Sequence, residues 1–101
     1  MSRDDWYRHT DWNAEIDADF EAHLRRARDK AQRLKIQAAL LAQTRPEVAL
    51  RLLERYFESG DAFFLADACQ TQAKARLALG DISGAAESYS AALSLRPSSP
   101  T

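Results

Sequence analysis

The sequence predicts an all-α fold in which helical hairpins follow one long N-terminal helix. Three observations carry that prediction. Residues 14–43 contain neither Gly nor Pro, and their apolar residues recur at steps of three and four. Only three Gly and three Pro occur in 101 residues, too few for the turns an all-β chain of this length needs. Most of them, Pro46, Gly60, Gly80 and Pro97, stand between runs of helical length. The chain spans one domain, 1–101, and its 46% apolar residues supply the material for a packed interior. A chain of this size buries roughly two-thirds of its unfolded surface.

The segment 1–13 is aromatic, with Trp6, Tyr7 and Trp12 ahead of the first helix. That helix is expected over 14–43, with Ile16, Phe20, Leu24, Ala27, Ala31, Leu34, Ala38 and Leu41 on one stripe. Asn13 serves as its N-cap, and Glu15, Asp17, Asp19 and Glu21 place negative charge at the end the helix dipole favours. Glu21, Arg25, Asp29 and Arg33 form a ladder at spacing four on an exposed face. An alternative break lies at Asp29, with Gln32 completing a capping box. From Ile36 the helix becomes apolar on a second side through Ala39 and Leu40, so it has neighbours on two sides.

Thr44-Arg45-Pro46 stops this helix, and Pro46 opens the next, which carries Val48, Ala49, Leu52, Leu53, Tyr56 and Phe57 inward to about residue 57. Ser59-Gly60-Asp61 separates it from a helix over about 62–79, and Gly80-Asp81 separates that from a last helix over about 83–95. Pro97 closes it, and residues 98–101 read as a loose tail. Small residues at 85 and 92 let two helix backbones approach, with Tyr89 filling the space beside the contact.

Charge and composition exclude several function classes. Fourteen basic against 15 acidic residues give a net charge of −1, so no global field draws the chain to nucleic acid or an anionic membrane. Cys69 is the single cysteine and cannot form an intrachain disulfide. The opening MSRDDWYRHTDW lacks an apolar core of signal-peptide length, and no segment reaches the ~20 apolar residues of a membrane span. A reduced, cytoplasmic setting is the expectation.

Residues 66–97, ADACQTQAKARLALGDISGAAESYSAALSLRP, resemble a tetratricopeptide repeat, a helix-turn-helix unit of about 34 residues. The Gly80-Asp81 turn, Ala73, Ala85, Tyr89, Ala92-Leu93 and Pro97 carry the resemblance. Cys69, Gln72 and Arg76 depart from it, standing where large or apolar residues are usual. The second repeat is taken over 62–97, and a degenerate first repeat over 30–57. There Ala49, Leu53 and Tyr56 precede Ala85, Tyr89 and Ala92 by 36 residues, Ile36 and Leu40 lie on the partner helix, and Thr44-Arg45 replaces Gly-Asp. Two repeats are fewer than the three a stack usually needs, so the N-terminal helix is expected to supply the missing surface. More loosely, residues 4–41 resemble the N-terminal region of bacterial tetratricopeptide-repeat proteins, a group without assigned chemistry, which open on Asp-x-Trp and Arg-x-Thr-x-Trp. Members of that group continue further, so this chain reads as a short member or a fragment.

The resemblance implies an adaptor that binds a protein or peptide and performs no chemistry. Carried onto this sequence, the ligand-facing positions of the concave surface are Asp67, Gln70, Lys74 and Leu77. The clamp of asparagines that chaperone-tail binders of this family use is not expected, since Asn13 is the lone asparagine and lies outside both repeats. A second candidate surface is the basic strip Arg26, Lys30 and Arg33, extended by Gln37, which suits an acidic partner; solvated charge is its plainer reading. Trp6, Tyr7, Arg8, His9 and Trp12 could stack on exposed bases, but Asp4, Asp5 and Asp11 oppose phosphate. Folding back over the helix end accounts better for the tryptophans, and a nucleic-acid partner is not favoured. His9 and His23 have no ligand partner at metal spacing, so no metal or cofactor is expected. Cys69, among alanines, reads as a small core residue, and no catalytic constellation appears. Leu79, Ile82, Ala86, Leu93 and Leu95 exceed what one hairpin buries on a single side. This predicts a homodimer through the C-terminal helix pair, with Leu93 and Leu95 at the contact.

Overall fold

The computed structural model describes residues 6–95, and all of its regular structure is helical. Five helices follow one another: α1 (Ala14–Arg26), α2 (Lys30–Leu41), α3 (Pro46–Glu58), α4 (Leu65–Ala78) and α5 (Ile82–Ser94). Pro97 and the tail 98–101 lie outside the described residues.

The single helix expected over 14–43 is two helices. Asn13 caps α1 as expected, its Oδ1 accepting from the Ile16 amide at 2.8 Å. The chain then leaves helical geometry at Ala27, which is extended at φ −75°, ψ 145°. A continuous helix of that length would run about 45 Å and carry Phe20 and Leu24 past the surfaces that bury them. Breaking it folds α1 back, and both side chains become buried. Asp29 is the N-cap position of α2, where the alternative break was placed, but its side chain makes no capping hydrogen bond. Tertiary burial, not a capping box, sets this break.

Three ion pairs place α1 and the turn before it beside α3. Asp11–Arg45, Asp17–Arg51 and Glu21–Arg55 are 2.5 to 2.7 Å long and each spans 34 residues. The constant offset means that α1 and α3 run in the same direction. Pairs this open to solvent contribute little to stability, so they set register more than stability. The N-terminal segment closes the same end of the molecule. Tyr7 and Trp12 are buried, Trp12 and Trp6 pack on Phe20 with ring centroids 5.5 Å apart, and the His9 backbone exchanges two hydrogen bonds with the Gln37 amide. The fold-back expected of the tryptophans is therefore present.

α2 and α3, joined by four residues, pack against each other; α4 packs on α3 and also meets α2; among the described residues α5 packs on α4 alone. The principal core runs from Tyr7 through Phe20, Leu41, Leu52, Leu53 and Tyr56 to Ala68 and Ala75, and no α5 residue belongs to it. α4 begins at Leu65, three residues later than expected, because Phe64 donates its N–H to the Tyr56 hydroxyl at 3.0 Å and to Asp61 Oδ2 at 3.3 Å. Its far end is closed by Gly80 at φ 82°, with Asp81 N–H bonded to Arg76 O at 2.8 Å and Gly80 N–H to Leu77 O at 3.0 Å.

In α5 the buried positions are Ala85, Ser88 and Ala92. The two alanines sit where helices meet, as expected. Tyr89 does not fill the space beside them: it faces out, 38% exposed, and Ser88 takes the inner position. Ala39 and Leu40 of α2 are likewise exposed, so the second apolar side of that helix is covered only around Ile36, which is half-buried.

Candidate functional site

Asp67, Gln70, Lys74 and Leu77 recur at steps of three and four on α4, and each is reachable from solvent: Gln70 is half-buried and the other three are exposed. Lys35 on α2 reaches Asp67 with Nζ–Oδ2 at 3.5 Å, so this face borders α2. The pair leaves Lys74 and Leu77 as its accessible end. The inner side of α4 carries Ala68, Cys69, Ala73 and Ala75, all buried. Burial pushes the Cys69 thiol above its ordinary pKa, which disfavours the reactive thiolate.

α5 presents a stripe at steps of four, three and four: Ile82, Ala86, Tyr89 and Leu93. Ile82 is 72% and Leu93 64% exposed; Leu95, just past the helix, and Leu79, just before it, are also exposed. The single charged side chain of α5 is Glu87.

The basic strip predicted from Arg26, Lys30 and Arg33 is divided. Because the helix breaks at 27–29, Arg26 and Lys30 no longer share a continuous helical face. Arg26 and Arg33 line one cleft of about 680 Å³ with Trp6, His23, Arg28 and Asp29. Lys30 lines a separate depression with Glu21, Arg25 and Arg55. Gln37, expected to extend the strip, is wholly buried and serves the N-terminal segment. In the cleft Trp6 stacks on His23, centroids 5.4 Å apart and planes 14° from parallel, and the Arg33 guanidinium lies 4.2 Å from the Tyr7 ring centre. Trp6, His23 and Arg28 were not foreseen here. The signal was the charge run 25–35, which holds six basic residues and one acidic one.

Two further groups are electrostatically perturbed. The Arg45 guanidinium beside Asp11 holds its carboxyl below the ordinary value. Burial, then the Asp61 carboxylate at 2.6 Å, pushes the Tyr56 phenol well above its usual range. Both belong to the scaffold. Among the described residues no group of three or more His, Cys, Asp or Glu could hold a metal ion, and no helix is long and apolar enough to cross a membrane. No family model, curated protein or solved structure matches this chain.

Proposed function

We propose that the protein is a tetratricopeptide-type binding module that engages a protein or peptide and performs no catalysis. The observation that carries this reading is the open stripe on α5. α3 and α5 are both 13 residues long and begin 36 residues apart. The stripe equivalent to Ile82, Ala86, Tyr89 and Leu93 is Pro46, Leu50, Leu53 and Phe57. That earlier stripe is closed: Pro46 and Leu53 are buried, Leu50 and Phe57 half-buried. α3 has α4 as an additional neighbour, and α5 has no second helix against it among the described residues. The surface that α3 gives to a helix is therefore vacant on α5, which suits an incoming amphipathic helix or a second copy. Asp67, Gln70, Lys74 and Leu77 then form the adjoining ligand face on α4.

Self-association is the second reading, favoured by the scarcity of charge on α5, where two stripes meet without facing rows of like charge. Light scattering across a concentration series separates the two. A mass that doubles by high micromolar concentration, and does not for Leu93→Glu or Leu95→Glu, supports the dimer. A constant monomer mass removes it and leaves the adaptor, for which Lys74→Glu weakens capture of a cellular partner without lowering the melting temperature. Capture that neither Lys74→Glu nor Leu93→Glu weakens contradicts the adaptor reading as well.

A further inference from the structure

Among the described residues, the corner between α1 and α2 holds arginines that no carboxylate pairs. Of the 14 basic residues in the chain, six lie within 25–35, although the net charge of the whole is −1. The arginines facing α1 from the start of α3 and along it, Arg45, Arg51 and Arg55, each have a carboxylate within hydrogen-bonding distance. Arg26, Arg28 and Arg33 have none within 4 Å among the described residues, and all three line the 680 Å³ cleft. Among the described residues the cleft has one acidic lining residue, Asp29.

Its aromatic wall is fixed in place. Trp6 stacks on His23 and also packs on Tyr7 and Phe20 at 5.2 and 5.5 Å, so the ring is held from several sides. Arg33 is oriented over Tyr7, a cation–π contact that costs little ordering when an anion arrives. Guanidinium groups present paired donors that match a carboxylate. An immobilised indole beside them accepts an apolar side chain next to that carboxylate.

We propose that this cleft receives a short acidic segment of a partner protein, its carboxylates on Arg26, Arg28 and Arg33 and a neighbouring apolar side chain against Trp6. A long polyanion fits worse. Asp19 sits 3.6 Å from His23 at the cleft border, and Glu15 lies one turn before it on the same side of α1, so an extended phosphate backbone leaving the cleft meets like charge. The proposal does not rest on the α5 stripe, and a monomeric result in scattering leaves it intact.

The test is an NMR titration of the full chain with the blocked pentapeptide Glu-Glu-Phe-Glu-Glu. Parallel titrations use its all-glutamine analogue, inorganic phosphate and an oligothymidylate. Saturable shifts of the Trp6 indole N–H and of the 26–33 amides with the acidic peptide, weakening as salt rises, support the proposal. Arg28→Glu, exposed and outside any helix, weakens binding about tenfold or more, and Arg26→Glu does the same. Ser90→Glu, on the exposed side of α5 and outside every binding surface described above, changes it little, and circular dichroism checks that each variant keeps its helix content. Absence of saturation, equal binding by the glutamine analogue, or unchanged affinity in Arg28→Glu overturns the proposal. Saturation by phosphate or oligothymidylate with none by the peptide overturns it too, and assigns the cleft to phosphate.

Discussion

The two helix pairs, α2–α3 and α4–α5, have nearly the same dimensions at an offset of 36 residues, but they are joined by different chemistry. Three seam positions make the contrast: Ile36, Val48 and Leu52 in the first pair become Gln72, Gly84 and Ser88 in the second, while the exposed Leu40 becomes Arg76. Leu52 is wholly buried in the principal core. At its counterpart, Ser88 Oγ accepts from Arg76 Nη1 at 2.8 Å and lies 2.9 Å from Gln72 Oε1 and 3.1 Å from Gly84 O, while Arg76 also donates to Gly84 O at 3.0 Å. Cys69, Ala73, Ala85 and Ala92 fill the rest of that seam. A helical hairpin thus keeps its shape when its seam changes from large apolar groups to small ones plus a satisfied polar network. The stabilisation differs, because burying a leucine removes far more apolar surface than an alanine does and a satisfied hydrogen bond contributes only about 1 kcal/mol net.

The largest expected effect comes from exchanging the two seams. Leu52→Ser leaves a cavity and an unpaired hydroxyl in the first pair and should cost about 3–5 kcal/mol. Ser88→Leu crowds the second pair and strips a partner from Arg76, costing about 1–3 kcal/mol. Urea titration of both variants measures the difference, and equal losses would erase the distinction between the seams. Next comes Ala85→Leu, which should cost about 1–3 kcal/mol where α4 and α5 meet, against less than about 0.5 kcal/mol for Ser90→Ala on the exposed side. Equal tolerance at 85 and 90 would contradict the register of α5.

The helix boundaries at 46, 58, 78 and 82 were legible because Pro46, Gly60 and Gly80 are local signals that act through backbone geometry alone. Ala85 and Ala92 were legible for a related reason: close helix approach admits only small side chains. The break at 27–29 was less so. No Gly or Pro marks it, and it arises from the burial of Phe20 and Leu24 by segments distant in sequence. Tyr89 was misplaced because a repeat motif presumes a following helix, and none covers it among the described residues. The cleft was half legible. Arg26 and Arg33 were singled out, but Trp6, His23 and Arg28 join them only through the fold-back that the break creates.

The smallest effect concerns acid. Asp11 titrates below its ordinary value in the folded chain because of Arg45. Its contribution is therefore complete above the unfolded carboxyl range and disappears as pH falls through the lower folded value. NMR titration should place the Asp11 midpoint below 3.8 in the parent and return it towards 3.8 in Arg45→Ala. An unchanged midpoint would remove the pair from the α1–α3 register.

The most direct measurement of the α5 face, which no second helix covers among the described residues, is a paired truncation at Leu53 and Tyr89, 36 residues apart, followed by denaturant titration at a dilution where the chain is monomeric. Leu53 is wholly buried and Tyr89 is 38% exposed. If α5 is an uncovered copy of α3, Leu53→Ala loses about 2–5 kcal/mol and Tyr89→Ala less than about 1 kcal/mol, while Tyr89→Ala abolishes association with whatever occupies the stripe. Losses of equal size in the dilute chain would show that α5 is already covered, and would contradict the account.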